Sequence, residues 1–339
     1  IREQLDGGLL LPGPTPLEEQ VEAGLLRLFA HHEAAAFGKN GSDVCTAAVR
    51  IARAETGREV VLHHGYHGFH DGFVATDVSV QGIPEALRRL IYQIPFGDIE
   101  TLRGIFSEHG PRIAGLIMEP LREQLPGPGY LAEARALCAR SGALFILDEI
   151  VTGFRVAPGG AQELFGVQAD LTCVGKALSG GMPLAALLGP RGWIARLDAL
   201  RYGMTTRAEQ LSLAAAAASL PLLGEPGLAP GVAEAGARLR GHFEERCRRL
   251  GIEARALGHP SMMRIQFEPS GGRGAEARLA EFAARCRQEG LWSDGTLLAS
   301  AAHDDEALDL STRALDRALE ACAAQDHSAK EERGPQWRP

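Results

Sequence analysis

Short apolar runs alternate with helical patterns over the first two thirds of the chain. The apolar runs lie at 59–62, 113–118, 143–147, 170–174 and 184–188, with helical patterns at 42–55 and 131–140. Their hydrophobicity is continuous rather than alternating, which is typical of strands covered on both faces. The pattern predicts an α/β fold with a large, mostly parallel sheet. In such sheets the functional groups collect beyond the carboxyl ends of the strands.

The composition changes near 224–231, where proline and glycine accumulate. Helical patterns at 232–250, 275–290 and 304–322 and a strand pattern at 262–267 follow this stretch. We therefore predict a large α/β domain at 1–224, a smaller α+β domain at 225–325 and a polar tail at 326–339.

Composition and charge exclude several classes of function. With 339 residues, 45% of them hydrophobic and 23% charged, the chain is typical of a globular enzyme. A net charge of −8 argues against nucleic-acid binding, and no apolar run has the length of a membrane span. The 6 cysteines are scattered, without metal-binding spacing, which predicts reduced thiols in a cytoplasmic protein.

Lysine is rare here, since Lys39, Lys176 and Lys330 are the three lysines among 35 basic residues. Lys176 follows the apolar run at 170–174, and Asp148 follows the run at 143–147. Only lysine can lose its proton and attack a carbonyl, because the guanidinium of arginine stays protonated. An attacking amine and a carboxylate for a ring nitrogen are the groups that pyridoxal phosphate needs most. We expect Lys176 to be buried, although an exposed loop lysine fits the residue taken alone.

A possible phosphate site lies before the helical pattern at 42–55. Gly41 precedes it, and Ser42, at its start, is the predicted N-cap. Free backbone amides at a helix N-terminus bind phosphate, while a plain helix cap without a ligand is the alternative. Lys39 either adds charge near an anion or is solvated.

Four histidines, His63, His64, His67 and His70, lie within eight positions. They lack the spacing of a helical metal-binding pair, and glycines interrupt the segment, so we predict no metal site. Tyr66, among them on a glycine-rich turn, either lies flat on a heteroaromatic ring or packs as an ordinary loop residue.

Asp148 and Glu149 are adjacent carboxylates. Successive positions of a strand point to opposite faces, so the two are not expected to act as a glycosidase-like pair. Asp148 fits a role in a site, and Glu149 fits a cap or a salt bridge.

Together these motifs resemble the class III pyridoxal-phosphate-dependent aminotransferases, especially their glutamate-1-semialdehyde 2,1-aminomutase-like branch. The matching stretches are 39–43, 65–68, 118–120, 147–155, 159–162, 169–171, 175–176 and 180–185. The resemblance extends to about Cys322 and is weaker after Gly224.

The resemblance implies a fold-type-I homodimer that binds pyridoxal 5′-phosphate and shares its active sites between subunits. Lys176 would form the internal aldimine, and Asp148 would pair with the ring nitrogen. The resemblance also places Gly41 and Ser42 at the phosphate, Tyr66 and Ile150 on the two ring faces, His67 and Glu119 beside the cofactor, and Thr205, or alternatively Thr206, at the partner's phosphate.

The activity implied is transfer of an amino group between an amino donor and a keto or aldehyde acceptor. The alternatives are a 2,1-aminomutase acting on an amino-aldehyde and a degenerate, non-catalytic dimerisation subunit. A dinucleotide-binding domain is a weaker rival, because the chain lacks a GxGxxG turn.

The sequence departs from the family in two places. It begins after the segment that normally precedes Arg2 in the family, and it has Val151 where many transaminases have glutamine. Arg155, Arg207 and Arg264 are candidate anchors for a substrate carboxylate.

Overall fold

A computed structural model describes residues 1–11, 13–77 and 79–331, with side chains as far as residue 326. The strands are β1 (Ala34–Gly38), β2 (Val60–His64), β3 (Ile91–Gln93), β4 (Ile113–Met118), β5 (Leu144–Glu149), β6 (Leu171–Val174), β7 (Ala185–Gly189), β8 (Ala254–His259), β9 (Met262–Phe267) and β10 (Thr296–Leu298). The helices are α1 (Arg2–Gly7), α2 (Pro16–Leu28), α3 (Gly41–Thr56), α4 (Asp71–Val74), α5 (Glu85–Arg88), α6 (Ile99–His109), α7 (Tyr130–Ser141), α8 (Gly160–Phe165), α9 (Arg191–Ala195), α10 (Gln210–Leu223), α11 (Leu228–Leu250), α12 (Ala275–Gln288) and α13 (Asp305–Glu331). Short 3-10 turns cover Gly110–Arg112 and Lys176–Ser179.

A seven-stranded sheet of order β1-β7-β6-β5-β4-β2-β3 forms the centre of the first compact unit, residues 1–120 and 126–229. Strands β3, β2, β4, β5 and β6 pair in parallel, whereas β7 is antiparallel to both β6 and β1. The predicted α/β fold with a mostly parallel sheet is confirmed, with β7 as a reversed strand. The carboxyl ends of β2, β4, β5 and β6 therefore meet at one edge.

The sheet is covered on both faces, and the alternation along β5 shows which side chains point to each. Leu144 and Ile146 pack in the core that contains α3, whereas Phe145 and Leu147 pack in the core that contains α7. Both layers are apolar, which explains why the strand lacks a polar face. The same alternation directs the last two residues of β5 to opposite sides of the sheet.

The sequence patterns missed β1, β3, β8 and β10. Strand β1 begins with three alanines, which have a low strand propensity, yet pairing with β7 from Ala34 to Gly38 holds it in the sheet. Strands β3 and β10 have 3 residues each, too few to show a hydrophobic period.

The second compact unit comprises Leu121–Leu125 and the chain from Pro230 onward. It contains the antiparallel sheet β10-β9-β8, and its core joins α11, α12 and α13 to that sheet around the buried rings of Phe243, Phe267 and Phe282. This is the α+β composition that the sequence predicts.

Helix α13 continues to Glu331, so it includes residues 326–331 of the predicted polar tail. Apolar residues continue to the end of the predicted helix, and Ala323 just beyond it is still buried in the core of this unit. Residues 332–339 of the predicted tail lie outside the described residues.

No single helix in the described part of the chain has both the length and the apolar composition of a membrane span, although α10 and α11 meet that criterion as a bent pair.

Candidate functional site

A cavity of about 330 Å³ in the first unit lies at the edge where the parallel strands end. Eight of the residues that the sequence assigned to a site line it: Gly41, Ser42, Tyr66, His67, Glu119, Asp148, Ile150 and Lys176. They come from five separate stretches of the chain. The sheet topology thus brings the predicted site residues together, as expected for the carboxyl edge of a parallel sheet.

Asp148 is buried at the end of β5 on the side of α3, and three donors hold its carboxylate. Oδ2 is 2.7 Å from His67 Nδ1 and accepts a hydrogen bond of 3.4 Å from Cys45 Sγ. Oδ1 accepts the backbone amide of Ile150 at 3.1 Å. Three donors on one buried carboxylate fix its orientation.

The imidazole of His67 connects Asp148 to a second buried histidine. The His63 and His67 rings are 5.6 Å apart, and burial together with the charge of His67 lowers the pKa of His63 to about 3. His67, Asp148 and Cys45 are residue types that bind metals, and their ligand atoms lie within 4.8 Å of one another. The fold thus brings a thiol and a carboxylate from distant parts of the chain beside this histidine. The separations of 2.7 and 3.4 Å are those of hydrogen bonds.

Glu149 points to the other face and caps a helix. Its carboxylate accepts the amides of Ala161 and Gln162, each at 2.9 Å, and the hydroxyl of Thr152. Burial raises the pKa of Glu149, and these hydrogen bonds oppose the rise. Of the two roles that the sequence allowed, a cap or a salt bridge, Glu149 has the first, at the N-terminus of α8.

Lys176 lies on the cavity wall, two residues after β6, at the start of a 3-10 turn. Its φ of 42° is in the left-handed region, which costs a non-glycine residue energy and is common at functional sites. We expected Lys176 to be buried, and this was wrong, because the turn that follows β6 carries it out of the sheet and leaves it exposed.

The N-terminus of α3 borders the cavity, and its cap is Asn40 rather than the predicted Ser42. The Asn40 side chain accepts the amide of Asp43 at 3.1 Å, and the Asp43 carboxylate accepts the amide of Asn40 at 3.2 Å. This capping box satisfies the first and last amides of the turn. Among the described residues the amides of Gly41 and Ser42 have no hydrogen-bond acceptor, so they are open to an anion.

Ile150 packs against two glycines that border the cavity. A side chain on Gly41 would meet Ile150 at 3.2 Å, and one on Gly175 would meet it at 3.0 Å. The absence of side chains there lets the end of β5, the start of α3 and the turn of Lys176 approach each other.

The glycine-rich turn after β2 is fitted closely against its neighbours. Gly65 and Gly68 have φ values of 103° and 106°, and a side chain on either would overlap Glu119 or Ser42. Glu119 Oε2 accepts the amide of Tyr66 at 3.1 Å, whereas the Tyr66 side chain is 64% exposed at the cavity wall. The turn therefore presents an aromatic ring to the cavity without burying it.

Other predicted residues lie outside the cavity wall. Thr205 and Thr206 are exposed on the turns before α10. Among the described residues, none of the three candidate arginines lines the cavity. Arg155 is in an environment where burial lowers its pKa, and Arg207 lies in a turn of the first unit. Arg264, in the second unit, donates to Thr296 Oγ1 at 2.9 Å. Val151, in contrast, does line it.

Sequence reasoning missed one residue of the site and left another undecided. Cys45 lies on the buried face of α3 and contacts Asp148, but nothing in the pattern separates it from the other buried cysteines. Lys39 lines the cavity and donates to Glu209 Oε1 at 2.9 Å. The scarcity of lysine among the basic residues was the sequence signal that could have assigned Lys39 to the site.

In and beside a larger cavity of about 910 Å³, several polar groups pair with each other. His32 Nε2 is 2.7 Å from Thr172 Oγ1, Gln162 donates to the same hydroxyl at 2.9 Å, and Arg135 pairs with Asp170 at 2.8 Å. Volume alone does not locate the chemistry, since the smaller cavity contains the convergent reactive groups.

The model of the family Aminotransferase class-III matches residues 11–314. The chain belongs to the class III aminotransferase family. Glutamate-1-semialdehyde 2,1-aminomutase of Thermomicrobium roseum is 31% identical over 92% of this chain and 78% of the relative. The enzyme of the same name from Desulforudis audaxviator is 33% identical over 95% of this chain and 80% of its own length.

A solved structure described as a transaminase with PLP bound superposes with a TM-score of 0.90 at 25% identity, covering 96% of this chain and 82% of that one. The predicted fold-type-I architecture and the predicted family are both confirmed. As a class III aminotransferase the chain is an enzyme of amino-group chemistry, and its relatives point to pyridoxal phosphate as the cofactor.

Proposed function

We propose that this class III aminotransferase binds pyridoxal 5′-phosphate covalently at Lys176 and moves an amino group between an amino donor and a keto or aldehyde acceptor. The observation that carries the proposal is the convergence of three groups in one cavity: the amine of Lys176, the carboxylate of Asp148 and the open amides of α3. These groups match the aldehyde, the ring nitrogen and the phosphate of the cofactor.

When bound, the cofactor supplies an aldehyde carbon that bonds to amines and a ring that withdraws electrons from the substrate Cα. The Asp148 carboxylate would hold a proton on the ring nitrogen, and His67, Cys45 and the Ile150 amide hold that carboxylate in place. Lys176 Nζ would take the proton from the substrate Cα, acting as the general base.

The remaining cavity residues would position the cofactor. The amides of Gly41 and Ser42 would bind the phosphate, and Tyr66 and Ile150 would contact the two faces of the ring. His67 and Glu119 would lie along its edge. The close packing of Ile150 on Gly41 and of Glu119 on Gly65 supports this assignment, because both contacts fix the cavity walls.

The test is covalent labelling of the protein by pyridoxal phosphate. After borohydride reduction, we expect a mass increase on the peptide that contains Lys176. Lys176→Ala and the charge-retaining Lys176→Arg should both fold, take up no label and lose turnover, since a guanidinium does not attack the aldehyde. An unlabelled wild-type protein would point instead to the non-catalytic dimerisation subunit.

A second candidate is migration of the amino group within one amino-aldehyde of the glutamate-1-semialdehyde type. The relatives at 31% and 33% identity, both named as aminomutases, favour it. The two reactions differ in stoichiometry: migration converts one substrate without an acceptor, whereas transamination consumes a keto acid or aldehyde for each amine used. Product analysis with and without an added keto acid distinguishes them.

We also propose a homodimer in which Thr205 reaches the partner's cofactor phosphate. Thr205 is exposed and absent from the cavity of its own chain, which supports a role across an interface. Thr205→Ala should weaken cofactor affinity, with the adjacent Thr206→Ala as the matched control. A monomer in sedimentation analysis, or equal affinities in both variants, would contradict this arrangement.

A further inference from the structure

We infer that Lys39 is a phosphate-binding side chain of the cavity, held in place by Glu209 and Ser212. The inference deepens the proposed function. It rests on that function only in taking the phosphate to be that of the cofactor. It concerns the second of the three lysines in a chain with 35 basic residues, and two of those three line the same cavity.

Lys39 is immobilised by its surroundings. Its Nζ donates to Glu209 Oε1 at 2.9 Å and to Ser212 Oγ at 3.4 Å, and both charged side chains are 17% exposed. Burial opposes ionisation of Glu209, but hydrogen bonds from Ser212 and Lys39 hold its pKa below the usual value, so Glu209 accepts these bonds as a carboxylate near neutral pH. An ammonium has three N–H donors, and these contacts use two of them.

The backbone around Lys39 positions it beside the open amides. Lys39 comes directly before Asn40, the cap of α3, and its own amide donates to Asp43 at 2.9 Å. The unsatisfied amides of Gly41 and Ser42 follow within three residues. An anion on those amides would therefore lie on the stretch of chain that carries the Lys39 ammonium.

Charge balance provides the second argument. The carboxylates of Asp43 and Glu209 contact Lys39, so a phosphate dianion arriving there meets two negative charges. Among the described residues that line the cavity, Lys39 and Lys176 are the two with cationic side chains. Since Lys176 would bind the cofactor covalently, Lys39 remains to offset the charge of the phosphate.

The first experiment measures binding of inorganic phosphate to the cofactor-free protein by calorimetry. Lys39→Met should weaken binding on the order of tenfold, because a charge-assisted hydrogen bond is lost, and Lys39→Arg should retain most of the affinity. Arg50→Met is the matched control, since it removes one positive charge from an exposed position on α3. It should leave the phosphate affinity unchanged.

Lys39→Met leaves Glu209 without its cation, which risks misfolding. The double variant Lys39→Met/Glu209→Gln removes both charges together and is expected to fold. It should bind phosphate more weakly than Glu209→Gln alone. Equal phosphate affinity of these two variants, or an equal loss in Arg50→Met and Lys39→Met, would overturn the inference.

The second experiment identifies the source of the phosphate by comparing pyridoxal phosphate with pyridoxal. Lys39→Met should reduce the ratio of their affinities about tenfold, leaving pyridoxal binding unchanged. If Lys39→Met weakens binding of inorganic phosphate but leaves the ratio of pyridoxal phosphate to pyridoxal affinity unchanged, the phosphate site is supported and is assigned to another phosphate ester. Lys39-dependent phosphate binding without labelling of Lys176 would refute the proposed function and leave this site standing. If Lys176 is labelled but phosphate binding does not depend on Lys39, the proposed function stands and the Lys39 phosphate site is refuted.

Discussion

The two faces of β5 use adjacent carboxylates for opposite purposes. Asp148 faces α3 and lines a cavity, where His67, Cys45 and a backbone amide hold it. Glu149 is fully buried on the other face and satisfies the first amides of α8 and the hydroxyl of Thr152. One carboxylate is held in a fixed orientation at a cavity wall, and the other completes the fold. A charged residue in a strand therefore indicates function only once its face and partners are known.

The largest expected effect is on the cavity side. Asp148→Asn should lower the rate of amino-group transfer about a thousandfold, because a neutral amide does not stabilise a protonated ring nitrogen. Labelling of Lys176 and the free energy of unfolding should change little. Steady-state kinetics measures the rate, and denaturant unfolding measures the free energy of unfolding. Near-normal turnover in this variant would show that Asp148 has no role in amino-group transfer.

The opposite outcome is expected on the other face. Glu149→Ala leaves two buried amides and a hydroxyl without an acceptor, so the free energy of unfolding should fall by about 3 kcal/mol. Urea unfolding measures the loss. Labelling of the fraction that remains folded should be normal, and a stable Glu149→Ala variant with impaired labelling would contradict the comparison.

The pH dependence of stability provides a third test, through His63 near Asp148. Its pKa is about 3 in the folded protein against 6.5 normally, so the unfolded chain binds this proton more readily. The contribution of His63 is therefore present above pH 6.5 and is lost as the pH falls towards 3, by up to about 1.4 kcal/mol per pH unit. His63→Gln should lose less stability than the wild type in urea unfolding between about pH 7 and about pH 5. Identical losses would show that His63 does not contribute.

The smallest expected effect concerns Cys45. Cys45→Val removes the S–H donor to Asp148 and should slow amino-group transfer roughly fivefold, equivalent to about 1 kcal/mol. Cys45→Ser keeps a donor at the same position and should retain most of the rate. Equal rates in the two variants, with equal stabilities, would show that the thiol only fills space.

The strands and the cavity residues differ in how well the sequence predicted them. The pattern of apolar residues predicted β4 and β9 at their observed bounds, because β4 is buried at every position and β9 is buried at alternate positions. It missed β1, whose alanines are held in the sheet by pairing with β7. Eight predicted site residues converge because motifs at strand ends meet at one edge of a parallel sheet. The N-cap was misassigned to Ser42, because Asn40 and Asp43 form a reciprocal pair that residue preferences alone do not reveal.

By itself the sequence determined the fold class and the family, and it selected residues that line one cavity, since these depend on hydrophobic period, motif order and the distinct chemistry of lysine and aspartate. The tertiary structure decided what each polar group contacts. It turned Glu149 into a helix cap, brought Cys45 to Asp148, left Lys176 exposed and paired Lys39 with Glu209, residues 170 positions apart. Such contacts depend on the three-dimensional packing of distant segments, and no local pattern in the chain encodes them.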